Sequence, residues 1–202
     1  MTVLPAARDL DAYFATLSAL PSRTAVTDAA GDALDLAAGM GRVAGLLGGL
    51  AAGENRVFFI GNGGSAGIAS HAAIDYSKNG GFPALALTDG AALTCLGNDY
   101  GYDEVFARQL EFHARRGDVL MAVSSSGASA NILKAVAAAR ARGCRVVTFS
   151  GFSPANPLRR LGDVNFYVDN GEYGFVEILH LTLIHAVLDL GTGWRAAMRT
   201  AE

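Results

Sequence analysis

The spacing of hydrophobic residues along the chain changes near residue 56. Before this point, apolar side chains recur every three or four residues, which predicts helices over residues 6–20 and over Ala25–Ala52. After it, short apolar runs alternate with longer amphipathic segments. The predicted strands are Arg56–Ile60, Pro83–Leu87, Asp118–Val123, Arg145–Ser150 and Val164–Val168, and the predicted helices are Ala66–Lys78, Asp103–Arg115, Ala130–Arg142 and Phe175–Leu190.

This alternation predicts an α/β fold, in which a parallel five-stranded sheet is flanked by helices and preceded by an N-terminal helical hairpin. We expect residues 1–53 to supply the N-terminal helices and an oligomer interface, and residues 54–202 to form the sheet domain, all within one compact unit. The alternative role for the hairpin is to cover its own domain. Several glycines weaken its second helix, and they would also permit close approach of a neighbouring element.

Composition narrows the class of protein. Half of the 202 residues are apolar and the net charge is −3 without a basic tract, which disfavours nucleic acid as a partner. The two cysteines, Cys95 and Cys144, suit a reducing compartment. Charges at Arg8, Asp9 and Asp11 interrupt the apolar core that a leader peptide would need. We therefore expect a cytoplasmic protein without a membrane span.

A glycine-rich loop, Gly61–Ala66, follows the first strand of the alternating region and opens a helix. This geometry suits a phosphate, because glycines allow close backbone approach and the helix start offers free N–H groups. The loop also satisfies the dinucleotide pattern G-x-G-x-x-A. That alternative requires an acidic residue about 20 positions on, whereas Asp89 lies 28 positions after Gly61. No nucleotide cofactor is therefore expected.

A second loop, Ser124–Asn131, follows the third strand and also opens a helix. Its four serines and one glycine bring hydroxyls and backbone amides to one helix start, which suits a phosphate monoester. Serine is also a common helix N-cap, but one cap accounts for one serine and not for four.

Together, Gly61–Ser65 and Ser124–Asn131 resemble the sugar isomerase (SIS) domain, and more closely the phosphoheptose isomerase family, over about residues 54–190. The resemblance includes Leu96–Tyr102 and the helix from Glu177 to His185. It implies a flavodoxin-like sheet and interconversion of sedoheptulose 7-phosphate and D-glycero-D-manno-heptose 7-phosphate through an enediol. It also implies one zinc ion per subunit and a homotetramer with sites between subunits.

Two pairs of polar residues carry the candidate chemistry. His71 and Asp75 are four apart on one helix, and Glu177 and His185 are eight apart, about 80° around the last helix. Two histidines and two carboxylates form a credible metal set. The resemblance makes these four residues zinc ligands and makes Asp75 and His185 the base and acid. The predicted substrate-binding residues are Asn62, Gly63, Gly64, Ser65, Asn98, Asp99, Ser124, Ser125, Ser126 and Ser129.

The chain departs from the family pattern at several of these places. Asp75 stands where the family has glutamate and Glu177 where it has glutamine, so either carboxylate could be the base. Gly174 and Phe175 replace an Asp-Arg pair, and Asn79 replaces an arginine. The departures leave the exact substrate open, with an eight-carbon ketose phosphate as the alternative.

Each candidate also has a purely structural interpretation. A lone histidine such as His71 is more often structural than a ligand, and Cys95 is expected in a loop without a required role. His180 forms Glu-x-x-His with Glu177, a motif of carboxylate-bridged metal bundles, but we interpret it as a packed residue. The last helix is apolar nearly all round, so polar Glu177 and His185 within it favour a site. The functional alternatives are a non-catalytic SIS protein that binds the replication initiator and a sugar-phosphate sensor.

Overall fold

The computed structural model of the protein describes residues 7–50 and 55–193. The strands are β1 Thr24–Asp28, β2 Ala33–Leu34, β3 Val57–Ile60, β4 Ala84–Ala86, β5 Val119–Ser124, β6 Arg145–Ser150 and β7 Val164–Val168. The helices are α1 Ala7–Ala19, α2 Leu36–Gly48, α3 Gly64–Lys78, α4 Gly90–Tyr100, α5 Val105–His113, α6 Ala130–Ala141 and α7 Tyr173–Gly191. Short 3-10 turns cover Pro21–Arg23, Tyr102–Glu104 and Pro157–Arg160.

All seven strands form one sheet in the order β2-β1-β7-β6-β5-β3-β4. The five predicted strands, β3 to β7, are parallel to one another, while β1 pairs antiparallel with β7 and β2 pairs antiparallel with β1 at the edge of the sheet. Numbered among themselves, the parallel strands have the flavodoxin-like order 2-1-3-4-5. In such a sheet successive strands are added first on one side and then on the other, and the order reverses between the first and third strands, here β3 and β5. Ligands bind beyond the carboxyl ends of these two strands.

Helices cover both faces of the sheet. Val57 and Phe59 of β3 pack in one apolar cluster with α2, α3 and α7, whereas Phe58 and Ile60 pack in the other with α4, α5 and α6. This alternation follows from the two-residue period of a strand. The α/β fold with helices on both faces is therefore confirmed.

Helix α7 is the most apolar of the described helices. By length and composition alone it meets the criteria for a membrane span, a test that buried core helices also pass. Eight of its residues are buried in the structure, including Leu179, Leu183 and Val187. Packing between the sheet, α2 and α3 thus accounts for these apolar residues, while Ile178 and Leu190 remain exposed.

The helix predicted over Ala25–Ala52 is wrong in its first part, and its predicted end lies outside the described residues. Residues 24–34 form the β1–β2 hairpin instead, and the helix begins at Leu36 after Asp35, whose side chain accepts a hydrogen bond from the Ala38 amide (2.6 Å). Glycine at position 39 permits the close approach of α2 to β1, because a Cβ there would lie 2.6 Å from Val26 Cγ1.

The segment between the second and third predicted strands also differs from expectation. It contains helix α4, which begins at Gly90 after Asp89 caps the Ala92 amide (2.9 Å). Cys95, expected in a loop, therefore lies on a helix. The apolar positions of this segment are too few to predict a helix from periodicity, since only Leu96 is buried.

His180 is completely buried between α7 and β6, in agreement with its interpretation as a packed residue. Its Nε2 lies 3.1 Å from the Ser150 carbonyl oxygen, while Nδ1 is buried without a hydrogen-bond partner. Burial lowers the pKa of His180 to about 4, although the bond to Ser150 opposes the shift. The imidazole is therefore neutral at neutral pH.

This histidine makes the stability of the fold depend on pH. The unfolded chain binds a proton at His180 below about pH 6.5, and the folded chain does so only near pH 4. Stability is therefore lost as the pH falls through this interval, by about 3 kcal/mol through this one group. The free energy of unfolding, measured with urea at several pH values, should fall less steeply between about pH 6.5 and pH 4 for His180→Gln than for the parent protein, whatever the absolute stability of the variant. His113→Gln, at an exposed site, should keep the parent slope; equal slopes for all three proteins would contradict the assignment.

Candidate functional site

The two predicted phosphate loops lie side by side at the carboxyl ends of β3 and β5. The side-chain amides of Asn62 and Asn131 join them through two hydrogen bonds, of 2.9 and 2.8 Å. The Tyr102 hydroxyl also donates to the amide oxygen of Asn62 (3.1 Å). Between the loops lies a cavity of about 260 Å³, here called the loop cavity. Its lining consists of Asn62, Gly63, Gly64, Ser65, Ser124, Ser125, Ser126, Ser129, Tyr173 and Glu177.

The serine loop carries more hydrogen-bond donors than are needed to cap a helix. Ser129 precedes α6 but makes no side-chain capping bond, so its hydroxyl and the first two α6 amides remain available, while the Ile132 and Leu133 amides donate to the Ser129 carbonyl oxygen. The Ser125 hydroxyl is buried without a hydrogen-bond partner. A buried polar group without a partner costs about 1–3 kcal/mol, and an oxygen-rich ligand would remove that cost. Gly127 has φ of +60°, and a Cβ there would collide with the Asn156 side chain, so the loop needs glycine at this position.

A second group of polar side chains lies further along α3 and α7. Oδ2 of Asp75 lies 3.2 Å from Nε2 of His71 and 3.7 Å from Nδ1 of His185. The two imidazole rings are 5.2 Å apart. One possible ligand atom from each residue lies within 4.8 Å of the others, so these three residues could hold one metal ion. This set is called the His-Asp cluster below.

The relative position of the two helices is fixed next to this cluster. Tyr76, one residue after Asp75, donates its buried hydroxyl to the carbonyl oxygen of Ile184 (2.9 Å), one residue before His185. Burial raises the pKa of Tyr76 far above its ordinary value, and the negative charge of Asp189 adds to the shift. The phenol therefore keeps its proton and holds the two helices, with their catalytic candidates, in register.

Glu177 does not join the His-Asp cluster. Its carboxylate lies against the first turn of α3, where a Cβ on Gly64 would be 2.6 Å from Glu177 Cδ. The side chain is half-buried and is the only carboxylate among the residues that line the loop cavity. Negative charge is favourable at this place because it faces the positive end of the helix dipole. Its predicted role as a metal ligand stays a prediction.

The remaining predicted site residues fall into two groups, one in the loop cavity and one outside it. All of the predicted glycine-loop and serine-loop residues line the loop cavity, whereas Asn98 and Asp99 lie outside it on α4. These two side chains are exposed, and the Asn98 amide donates to the Asp99 carboxylate (2.9 Å). Their predicted contacts with substrate are untested.

Sequence reasoning missed Tyr173, which lines the loop cavity at the start of α7. Its ring packs edge-on against Phe152, with centroids 4.8 Å apart. Phe152 has φ of +56°, a left-handed conformation that is uncommon for a bulky residue and clusters at functional sites. No spacing or motif distinguishes Tyr173 from other aromatic residues, so no sequence signal pointed to it.

Comparison with known proteins places this geometry in a family. Residues 24–151 match the family model described as SIS domain. A phosphoheptose isomerase of Streptomyces coelicolor is 43% identical over 152 residues, which are 72% of this chain and 64% of that protein. A phosphoheptose isomerase of Geobacter sulfurreducens is 38% identical over 162 residues, 77% of this chain and 85% of that protein. The chain belongs to the SIS-domain phosphoheptose isomerase family.

The phosphoheptose isomerase fold extends over nearly the whole chain. The solved structure of phosphoheptose isomerase GmhA from Neisseria gonorrhoeae superposes with a TM-score of 0.77 and 32% identity, covering 91% of this chain and 97% of that one. The family and the fold class predicted from the two loops are therefore confirmed, and so is the classification as an isomerase enzyme.

The His-Asp cluster offers the kinds of ligand atoms that zinc binds in proteins. Two imidazoles and one carboxylate are ligands that zinc accepts, and three protein ligands leave a fourth position free, as in catalytic rather than structural zinc sites. Asp75 is the least exposed of the three side chains and lies between the two histidines. The donor set thus fits zinc without Glu177.

Proposed function

We propose that this chain is a zinc-assisted aldose–ketose isomerase that converts sedoheptulose 7-phosphate into D-glycero-D-manno-heptose 7-phosphate. The observation that carries the proposal is the placement of two complementary sites on the same pair of helices. The loop cavity lies at the start of α3 and α7, and the His-Asp cluster lies further along both. His71 follows Gly64 by seven residues, about 10 Å along the helix axis. A sugar phosphate could therefore have its phosphate at the serine loop and its reacting carbons between Glu177 and the cluster.

The serine loop would hold the phosphate. Ser125 would donate its unpartnered hydroxyl, and Ser126 and Ser129 would add hydroxyls beside the free amides of α6. The positive end of the α6 dipole adds to this attraction. The Asn62–Asn131 pair would keep the two loops at a constant separation.

Glu177 is the base in this mechanism. Both histidines already contact the Asp75 carboxylate, whereas Glu177 faces the cavity where substrate would lie. Glu177 would remove the proton from the carbon next to the carbonyl and return it to the neighbouring carbon. His185, as the acid partner, would move the hydroxyl proton between the oxygen atoms on the two reacting carbons. When bound, zinc supplies electrostatic stabilisation of the negative oxygen of the enediolate.

The proposal also covers the oligomeric state of the protein and its location in the cell. Helix α1 has no buried residue, and its apolar Leu10 and Phe14 are 47% and 62% exposed. An apolar face of this kind needs a partner. We infer that α1 packs between subunits in a cytoplasmic homotetramer, with sites close to the subunit boundaries.

The test is direct conversion of sedoheptulose 7-phosphate by the purified protein. We expect the aldose phosphate to form, activity to fall after treatment with a chelator, and added zinc to restore it. An octulose 8-phosphate measured in parallel tests the eight-carbon alternative, and its exclusive conversion would change the substrate but not the reaction. Conversion of neither ketose phosphate by the zinc-loaded protein would overturn the proposal and favour a binding protein.

A further inference from the structure

A second cavity, of about 370 Å³, lies at the β1 edge of the sheet. It is lined by the end of β1 and the turn that follows it, residues 27–31, and by Pro154, Arg159 and Arg160, and is here called the arginine cleft. It shares no lining residue with the loop cavity and contains no member of the His-Asp cluster. None of these residues contributes to the loop cavity or to the His-Asp cluster.

The arginine cleft exists because β1 and β2 extend the sheet beyond its helical cover. Val26 faces α2, so Thr27 faces the opposite side of the sheet. On that side β7 is covered by the four-residue turn Pro157–Arg160 and not by a long helix. Thr27 is therefore only half-buried, and an open space remains beside it.

One arginine of the cleft is held in place and the other is unpaired. The Arg159 guanidinium lies over the Tyr167 ring, 4.2 Å from its centroid, and Nη1 donates to the Pro154 carbonyl oxygen (3.0 Å). These contacts fix the group and leave other N–H donors free. Arg160 is exposed and makes no ion pair within the described residues 7–50 and 55–193. Two guanidinium groups thus border one cleft without a carboxylate partner.

The acidic residue of the cleft does not cancel this charge. Asp28 forms an ion pair with Arg42 (3.0 Å), which lowers the pKa of its carboxyl group. Its other oxygen accepts hydrogen bonds from the Ala30 and Asp32 amides, both at 3.0 Å. The Asp28 charge is thus already satisfied, and the cleft is a positive region on a chain of net charge −3.

We propose that the arginine cleft binds the phosphate group of a small phosphate ester, at a site separate from the loop cavity. Guanidinium groups present parallel donors that match phosphate oxygens, which favours phosphate over a single carbonyl or hydroxyl. The cleft is larger than the loop cavity, so it has room for a phosphate and the sugar or nucleoside attached to it. The proposal does not depend on the reaction that the loop cavity supports.

Calorimetric titration of the full chain tests this site with three probes: inorganic phosphate, glucose 6-phosphate and adenosine monophosphate. We expect Arg159→Ala and Arg160→Ala each to weaken binding of at least one ester by about tenfold or more, the loss of one charge-assisted contact. Arg116→Ala removes another exposed arginine, outside the cleft, and should leave all affinities unchanged. The ester that binds more tightly shows whether the cleft prefers a sugar or a nucleoside attached to the phosphate.

A variant of the loop cavity separates the two sites. Ser129→Ala should leave the arginine-dependent binding of the ester unchanged, and Arg160→Ala should leave KM for conversion unchanged. The proposal is overturned if both arginine variants bind every probe with the parent affinity, or if Ser129→Ala abolishes the arginine-dependent binding. Both readouts are binding measurements, so they remain decisive if the protein does not isomerise this sugar.

Discussion

Replacing Glu177 with glutamine is expected to lower kcat by about 10³-fold and to change KM much less. Glutamine has nearly the same size and keeps the packing against Gly64, but it cannot accept a proton from carbon. General base catalysis typically contributes about 10²–10⁴-fold, so the loss should fall mainly on kcat. Steady-state isomerisation of sedoheptulose 7-phosphate by the zinc-loaded variant measures both parameters.

The matched control is Glu172→Gln, five residues earlier. Glu172 is exposed, caps α7 only through its backbone and does not line the loop cavity. The Glu172→Gln variant loses the same negative charge. If it is as active as the parent protein, the effect of Glu177→Gln is local to position 177. Asp75→Asn tests the other candidate base. If Asp75→Asn retains zinc but loses turnover while Glu177→Gln remains active, the base is Asp75 and the present assignment is wrong.

The parts of the fold that sequence predicted are those in which local pattern and tertiary packing agree. Strands β3, β5 and β6 are buried along their length, except for Arg145 at the start of β6, so their apolar runs gave a clear signal. The β1–β2 hairpin was missed because an apolar side chain every three or four residues also continues through Val26 and Leu34. What selects the strand is pairing with β7, for example Val26 opposite Phe166, a contact 140 residues away in sequence.

The candidate site was predictable in composition but not in arrangement. The glycine and serine content of the two loops was enough to recognise them as phosphate-binding candidates. The strand order brings them together at the switch between β3 and β5. Helical spacing alone could not show that Glu177 lies with the loops while His185 lies with His71 and Asp75. That division depends on how α3 and α7 are aligned, which the buried Tyr76–Ile184 hydrogen bond fixes. Tyr173 and the arginine cleft depend on similar long-range contacts.

His185→Ala should abolish measurable turnover, a loss of at least about 10³-fold, and leave the fold intact. The change removes the proposed acid and one of three ligands of the His-Asp cluster, so zinc content should fall as well. His185 is only half-buried, so its truncation creates no large cavity and the thermal midpoint of the zinc-free protein should change little. Activity, bound zinc and thermal unfolding are measured on the same preparations.

The control for this variant is His113→Ala, which removes an exposed imidazole at the end of α5. It should match the parent protein in activity and in zinc content. Parent activity in His185→Ala would remove His185 from the mechanism. If turnover is lost while zinc stays fully bound, His185 acts on protons alone, and the ion must be held by other residues. One candidate is Glu177, the remaining residue of the metal set that the sequence predicts, and its contribution would show as a loss of bound zinc in Glu177→Gln.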